Sequence, residues 1–267
     1  MIDKLPSNKI KSFQKNIFSW WEENRRDFPW RDTVDPYKIL VSEYMLQQTQ
    51  APRVIEKYIE FIDRLPTLES LAIASKAEVL LLWSGLGYNR RAIWLQESAQ
   101  LLLEKKRFPQ TPEELIKLKG IGKYSSRSVL IFAFNQDIGT VDTNIRRILI
   151  AEGFAIEENT EEELLEIAEK ILPLGKSRDW HNALMDYGSK ELTVAKTGIK
   201  PLTKQGKFKG SDREYRGKIL KLILSKERMT ENQILKEVNI TKEKLQKILQ
   251  KMIVENLLKK QGKRYSV

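Results

Sequence analysis

The sequence of 267 residues contains no cysteine and one histidine, His181. The absence of cysteine excludes disulfides, thiolate zinc sites, cysteine-ligated iron–sulfur clusters and cysteine nucleophiles. No familiar metal cluster is left, so no metal is expected. No segment approaches the ~20 apolar residues that span a bilayer, and residues 1–12 are polar, without the apolar run of a leader. We therefore expect a cytoplasmic protein with no membrane partner.

Strand patterns are also scarce, whereas apolar residues recur at three- and four-residue spacing along most of the chain. Prolines between these segments and acidic residues at several of their starts mark the helix ends. The pattern predicts an all-α body. Its helices are expected at residues 10–23, 37–48, 53–65, 68–74, 77–83, 90–105, 112–117, 124–134, 143–151, 161–171 and 180–193.

Positive charge is concentrated near the C-terminus. Of the net charge of +11, residues 211–267 carry +8, from 15 Lys and Arg against 7 Asp and Glu. Residues 195–210 are rich in Lys, Thr and Gly and lose periodicity, as linkers do. We therefore predict a main domain at 1–210 and a small domain at 211–267.

The small domain contains three helical patterns followed by an alternating basic segment around a glycine, at residues 215–224, 231–238, 241–255 and 257–265. This order is typical of a winged-helix-like domain, which commonly places its last helix in a DNA groove. A basic domain of this kind favours a polyanion partner, most simply DNA. A helical protein-interaction appendage with solubilising lysines is the alternative.

Two glycines one residue apart, Gly120 and Gly122, separate two helical patterns. Their spacing predicts a tight hairpin whose backbone amides bind phosphate, with Lys123 beside them. Asp142 follows Gly122 after 20 residues, at a predicted helix N-cap, and two arginines come soon after, at 146–147. The segment therefore predicts a carboxylate next to a nucleic-acid backbone site.

Glu43 lies in an otherwise apolar helical stretch. Burial raises the pKa of a carboxyl group and lets it hold a proton at neutral pH, as a general acid must. A solvent-facing glutamate is the alternative for this residue taken alone. With Asp142 it offers the two carboxylates that break glycosidic bonds, one protonating the leaving group and one stabilising the sugar cation. Residues 86–91 add a loop whose tyrosine could wedge into a base stack, or else begin a helix.

Several segments together resemble the helix-hairpin-helix glycosylase superfamily and, within it, the adenine DNA glycosylases of MutY type. The resemblance covers about residues 16–192 and implies two helical lobes. It is carried, in order, by Pro29-Trp30-Arg31, Ser42 to Gln50, Trp83 to Tyr88, Gly120-Ile121-Gly122, Val141 to Asn144 and Met185 to Gly188.

The resemblance implies a role for each matching residue. Glu43 falls on the general acid and Asp142 on the catalytic aspartate, with Tyr124 and Asn144 lining the pocket. Tyr124 also stands where bifunctional relatives of endonuclease III type carry a Schiff-base lysine, so a monofunctional enzyme is expected. The neighbouring amine of Lys123 argues the other way.

The resemblance also implies contacts with bases and with the DNA backbone. The residues expected at the excised base are Trp30, Arg31, Asn182 and Asp186. Those expected at the opposite base are Gln48, Thr49, Leu86 and Tyr88, and those at the backbone are Gly120, Gly122 and Lys123.

The sequence departs from that family at three places. The family's cluster-ligating cysteines fall on Leu192, Ile199, Leu202 and Phe208. We interpret this as an apolar plug that replaces the cluster, with no cofactor. The short basic domain stands where the family has a larger domain that verifies 8-oxoguanine, which leaves lesion selectivity open. Thr143 replaces a usual glycine and Asn182 an expected glutamine, which could alter the base accepted.

The sequence therefore favours a monomeric, nucleoid-associated, monofunctional glycosylase of base excision repair that acts on mismatched or damaged double-stranded DNA. Adenine opposite 8-oxoguanine or guanine is the expected target. Mismatched thymine or uracil opposite guanine is the first alternative. A non-catalytic DNA-binding protein that reuses the fold is the second.

Overall fold

The structure is a computed structural model that describes residues 6–105, 107–202 and 205–267. Within these ranges the regular secondary structure is mostly helical, which confirms the predicted class, with a short 3-10 turn at Pro29–Arg31. Among the described residues, no helix combines the length and apolar content needed to cross a bilayer.

The helices are α1 (Ser7–Asn24), α2 (Pro36–Leu46), α3 (Ala51–Arg64), α4 (Leu68–Ile73), α5 (Lys76–Leu82), α6 (Arg90–Glu104), α7 (Pro112–Leu115), α8 (Lys123–Phe134), α9 (Thr143–Ala151), α10 (Glu161–Lys170), α11 (Ser177–Lys190), α12 (Val194–Thr197), α13 (Asp212–Lys226), α14 (Glu231–Glu237) and α15 (Lys242–Val254). The strands are β1 (Met229–Thr230), β2 (Lys259–Gln261) and β3 (Arg264–Ser266).

Local sequence signals explain where these helices begin. The hydroxyl of Thr160 accepts a hydrogen bond from the amide of Glu163, whose carboxylate accepts one from the Thr160 amide, so the first turn of α10 is capped at both groups. The hydroxyl of Thr111 accepts the amide of Glu114 at the start of α7, and Pro112 follows at the first helical position. The bounds of the predicted helices differ from the observed ones by at most three residues.

The chain divides into two compact units. The first comprises Met1–Ile39, Pro109–Lys117 and Ile121–Lys204. Its core lies among α1, α9, α10 and α11, where Ile17, Ile148 and Trp180 are almost completely buried. The ring of Phe13 meets Trp180 edge-on at 5.5 Å between centroids. This core holds α9 and α11, which carry most of the candidate site of this unit.

The second unit comprises Leu40–Phe108, Leu118–Gly120 and Gln205–Val267. Helices α4 and α5 pack on α6. The last part of the unit contains α13, α14, α15 and an antiparallel sheet of order β1-β3-β2. The three predicted helices and the basic hairpin are confirmed, but β1 was not predicted. The proposed domain boundary at residue 210 and the winged-helix likeness stay predictions.

Candidate active site

Asp142 stands at the N-cap of α9, as the sequence predicted. One carboxylate oxygen accepts the amide of Ile145 at 2.7 Å, and the other accepts Nδ2 of Asn144 at 3.1 Å. Desolvation raises the pKa of Asp142 above its ordinary value, and these hydrogen bonds together with the charge of Arg147 oppose the rise. The result is a fixed carboxylate whose negative charge is less stabilised than it would be in water.

Asn144 is itself held in place by Arg147. Oδ1 of Asn144 accepts Nη2 of Arg147 at 2.6 Å, and the same Nη2 donates to the carbonyl of Gly188 at 3.0 Å. The Nε of Arg147 donates to the carbonyl of Leu192. A Cβ at Gly188 would lie 3.0 Å from Cβ of Asn144, so the glycine lets α11 approach α9 closely. The Gly188 position thereby supports the aspartate.

The two arginines after Asp142 do not serve the backbone site predicted from the sequence. Arg146 and Arg147 are both only 6% exposed. Arg146 donates to the carbonyls of Glu157 and Lys200, and Arg147 is engaged as described above. The prediction was wrong because carbonyls distant in the sequence, which periodicity does not reveal, satisfy both guanidinium groups inside the first unit.

Glu43 lies on α2 and is 6% exposed. Its neighbours along the helix include Leu40, Val41 and Tyr44, which are completely buried. The predicted burial of Glu43 is therefore confirmed, and the solvent-facing alternative is excluded. Its part in proton transfer stays a prediction.

Tyr124 and Lys123 begin α8 and line a cavity of about 270 Å³ together with Thr140 and Val141. The amine of Lys123 is exposed and lies 3.1 Å from a carboxylate oxygen of Glu162. The hydrogen bond that Lys123 donates to Glu162 and the charges of Glu161 and Glu162 raise the pKa of Lys123. This amine is therefore kept protonated at neutral pH.

The glycine hairpin depends on its two glycines in different ways. Gly120 has φ of +82°, and a Cβ there would lie 2.4 Å from the indole of Trp94, so both conformation and packing require glycine. Gly122 caps α8 with φ of −103°, and a Cβ there would have no heavy atom within 4 Å. The protein's own structure does not explain the second glycine, whereas close approach of another molecule would.

Asp186 and Arg31, predicted to meet the excised base, are partners of each other. The Asp186 carboxylate is fully buried and accepts Nη1 and Nη2 of Arg31 at 2.8 and 2.9 Å. It also accepts Nε of Arg26 at 2.6 Å and Nε1 of Trp21 at 3.0 Å. Burial alone would raise the pKa of Asp186, but the hydrogen bonds and charge of Arg31, with those of Arg26 and Trp21, hold it below its ordinary value.

Contact of this pair with a base stays a prediction, since both side chains are already engaged inside the first unit. Trp30 stacks on Phe28 with 4.9 Å between ring centroids, and Asn182 is 7% exposed on α11.

The residues predicted at the opposite base are brought together in the second unit. Gln48, Thr49, Leu86 and Tyr88 all line one cavity of about 1150 Å³. Gln48 and Tyr88 adopt left-handed backbone conformations, with φ of 54° and 48°, which are uncommon for residues other than glycine. Such conformations persist where the surroundings hold them.

Arg91 holds these backbone conformations in place, whereas the sequence placed it only among the basic groups of the predicted base-stack loop at residues 86–91. It is 4% exposed, and burial lowers its pKa to about 10, so it stays charged at neutral pH. Its guanidinium joins the end of α2 to the segment at residues 47–49 and to the loop at residues 87–88. The acceptors are the carbonyls of Tyr44, Met45, Gln47 and Gly87 and the hydroxyl of Thr49.

The apolar plug predicted at the four cluster-ligand positions is wrong for two of them. Ile199 is 8% exposed and Leu192 packs on the core of the first unit, but Leu202 is 79% and Phe208 61% exposed. Apolar character identifies residues that can be buried, and the chain path decides which of them are. Because the sequence contains no cysteine, these positions do not fit an iron–sulfur cluster.

These features define a helical fold with a glycine hairpin and an N-cap aspartate. A profile described as "HhH-GPD superfamily base excision DNA repair protein" matches residues 41–174, about half of the chain. The chain belongs to this superfamily, and the resemblance stated from the sequence is confirmed.

Relatives within the superfamily include adenine DNA glycosylases. The chain is 43% identical over 137 residues to the adenine DNA glycosylase of Mycobacterium tuberculosis strain H37Rv, which is 50% of this chain and 45% of that protein. It is 34% identical over 230 residues to that of Mycolicibacterium smegmatis, which is 78% of each chain. The match thus spans less than half the length of the first relative.

Solved structures give the same fold. A thermostable thymine-DNA glycosylase superposes with a TM-score of 0.63 at 31% identity, over 72% of this chain and 93% of that one. An endonuclease III in a non-covalent complex with DNA superposes with a TM-score of 0.61 at 19% identity, over 70% and 87% of the two chains. The second likeness concerns the fold alone.

Proposed function

We propose that this protein is a monofunctional DNA glycosylase that hydrolyses the N-glycosidic bond of a flipped, mispaired adenine opposite 8-oxoguanine or guanine. The observation that carries the proposal is the Asp142 carboxylate, fixed at the N-cap of α9 by Ile145 and Asn144, in a chain similar to adenine DNA glycosylases. Double-stranded DNA with a mismatch or lesion is the proposed partner, and a monomer is the proposed acting form.

The chemistry assigns a different task to each acid. Glu43 gives its proton to a ring nitrogen of the adenine, which turns the base into a better leaving group. Asp142 stabilises the positive charge that develops on the sugar as the bond to the base breaks, as an ion partner or through a transient covalent bond. Water supplies the hydroxyl that ends on the sugar, directly or by hydrolysing that covalent bond, and its remaining proton restores the protonated form of Glu43. Adenine leaves, and the DNA retains an abasic site.

The start of α8 supports hydrolysis without strand cleavage. A lyase needs a neutral amine to form a Schiff base, and enzymes obtain one by lowering the pKa of a lysine. Tyr124 has no amine, and the acidic neighbours of Lys123 raise the pKa of the Lys123 amine. No cofactor is needed for this reaction, and none is proposed.

DNA binding is supported by the hairpin and by the basic C-terminal residues. Gly122 lies open to an approaching phosphate at the N-terminus of α8, where the helix dipole favours an anion. The exposed lysines of 211–267 would add affinity that depends on salt but not on sequence.

Excision of mismatched thymine is the second candidate. The thymine-DNA glycosylase structure favours this candidate, because the match covers 93% of that protein's chain at 31% identity. The two candidates share both carboxylates and differ in the base that is accepted. A direct comparison of mismatches separates them.

A panel of labelled duplexes tests the proposal. Each carries adenine, thymine or uracil opposite guanine, or adenine opposite 8-oxoguanine, and alkaline cleavage after single-turnover incubation reports excision. We expect excision of adenine alone. Glu43→Gln should lower the rate by about 100- to 10,000-fold, and Asp142→Asn by at least about 100-fold, with duplex affinity retained in both.

The exposed acids Glu56 and Asp63 provide matched controls. Glu56→Gln and Asp63→Asn should excise adenine at the wild-type rate. Turnover like the wild type in either Glu43→Gln or Asp142→Asn would refute the assignment of that acid. Excision of thymine but not adenine would replace the first candidate with the second, and tight sequence-specific binding without any excision would favour a non-catalytic protein.

A further inference from the structure

The cavity of about 1150 Å³ in the second unit has a second wall, which does not come from the residues matched by the family. One wall carries Gln48, Leu86 and Tyr88, and the other is built by the segment after residue 204 and by the first turns of α13. The matched residues end at 174. Any ligand of this cavity would therefore meet side chains that the superfamily match does not cover.

Arg213 lies on this second wall, which also carries the cationic residues Arg216, Lys218 and Lys221. Nη1 of Arg213 donates to the hydroxyl of Tyr88 at 2.5 Å, its Nη2 donates to the carbonyl of Gly206 at 2.6 Å, and its guanidinium lies 5.5 Å from the Tyr88 ring centroid. Within the described ranges, no carboxylate lies within ion-pair distance of it. A guanidinium has more N–H donors than these two contacts use. Arg213 is thus held in position, while further N–H donors and its positive charge are available to a ligand.

Two further groups surround it. The amide of Gln205 donates to the Tyr88 hydroxyl and lies 3.5 Å from Oε1 of Gln48. Phe208, also on the cavity wall, leaves 61% of its surface exposed. A guanidinium fork, a side-chain amide and an open aromatic ring therefore share one cavity.

This combination suits a purine with acceptors on its edge. Arginine donates to O6 and N7 of guanine, which is the commonest base-specific contact in proteins. In 8-oxoguanine N7 carries a hydrogen, so O6 is left as the acceptor for Arg213, while the N7 donor and the O8 acceptor match one amide such as that of Gln205. An aromatic ring such as Phe208 stacks on an unpaired base. On its major-groove edge cytosine presents only the N4 amino donor and thymine the single O4 acceptor, so neither offers Arg213 the paired acceptors of guanine.

We propose that Arg213, with Gln205 and Phe208, reads the base opposite the excised one and selects guanine or 8-oxoguanine over a pyrimidine. This inference rests on the proposed function and names a specificity determinant for it. Tyr88 positions the guanidinium, so the residues predicted at the opposite base and the C-terminal segment form one reading site.

Binding to product-like duplexes tests this without requiring excision. The probes carry a tetrahydrofuran abasic-site analogue opposite 8-oxoguanine, guanine or cytosine, and fluorescence anisotropy of the full chain gives each Kd. The wild type should favour the two purines over cytosine. Arg213→Ala should reduce that ratio by about 10- to 100-fold, and Gln205→Ala should reduce the preference for 8-oxoguanine over guanine.

Two further variants separate reading of the base from simple charge. Arg228→Ala removes an exposed arginine that does not line the cavity, and it should leave the ratio unchanged. Arg213→Lys keeps the charge without the fork, so it should restore overall affinity but not the ratio. An unchanged ratio in Arg213→Ala would make Arg213 a phosphate contact and overturn the inference, as would recovery of the ratio by lysine or a wild type without preference.

The two proposals fail in distinguishable ways. A wild type that excises adenine while Arg213→Ala keeps full discrimination overturns only the reading role. A wild type that excises no base while Arg213→Ala loses discrimination overturns only the proposed function.

Discussion

Replacement of Asp186 by asparagine separates a structural role from contact with the base. The substitution keeps the shape of the side chain and removes the charge that faces Arg31, whose side chain is only 5% exposed. Arg26, whose side chain is 35% exposed, can turn toward water, but Arg31 cannot without moving the turn that carries it. Asp186→Asn therefore leaves a buried guanidinium without its counter-ion.

The size of the effect follows from that burial. Removing one partner of a buried ion pair costs about 3–5 kcal/mol, because the other charge stays desolvated. For a chain of this size each kcal/mol lowers Tm by about 2–4 °C, so Tm should fall by roughly 6–20 °C. Asp179 on the same helix is exposed, and Asp179→Asn should change the free energy of unfolding by less than about 0.5 kcal/mol.

Urea unfolding followed by circular dichroism measures both variants. The lowered pKa of Asp186 also fixes the pH dependence. Its stabilisation is complete above the pKa of unfolded aspartate, about 3.9, and is lost as pH falls through the lower folded value. The difference between wild type and Asp186→Asn should therefore shrink below about pH 4. A loss of stability under about 1 kcal/mol combined with loss of excision would refute the structural role and favour contact with the base.

Substitutions at Arg91, Gly120 and Gly122 and a change of pH also have defined outcomes. Arg91→Ala should lower the free energy of unfolding, measured by urea titration, by at least about 3 kcal/mol, because several buried carbonyls lose their donor. A loss under about 1 kcal/mol would contradict the proposed role of Arg91 in holding these segments together. The excision rate should fall with decreasing pH at a higher pH than an ordinary aspartate would give, because Asp142 must be ionised and its pKa is raised; a flat profile down to pH 4 would contradict this. Gly120→Ala should destabilise the fold by about 1–3 kcal/mol, whereas Gly122→Ala should change stability by less than about 1 kcal/mol. Gly122→Asp should weaken duplex affinity and flatten its salt dependence, and unchanged salt dependence would remove the phosphate role.

The helices were predictable because their signals are local. Apolar spacing sets the buried face, and residues such as Thr160 and Pro112 set the ends, so the observed bounds lie close to the predicted ones. The N-cap position of Asp142 was accessible for the same reason. Strand β1 escaped prediction since it has only two residues, Met229 and Thr230, too few for an alternating pattern.

The internal contacts of charged groups were not predictable in this way. Arg146 and Arg147 lie in a basic pattern typical of DNA contact, yet their acceptors are carbonyls up to 54 residues away. The place of Arg213 on the cavity wall was not predictable for the same reason. Tyr88, whose hydroxyl accepts its hydrogen bond, lies 125 residues earlier in the sequence. A buried arginine and an exposed one look identical until the fold brings their acceptors together.

The hydrogen bond that Arg147 donates at Leu192 is accepted by the main-chain oxygen, so it does not depend on the side chain at that position. Exchanging one side chain for another at 192 leaves the oxygen where it is, so Asn144 and Asp142 keep their support whichever side chain stands there. Inserting or deleting a single residue between α11 and this carbonyl would displace it. Selection on this stretch should therefore tolerate replacement and resist changes in length.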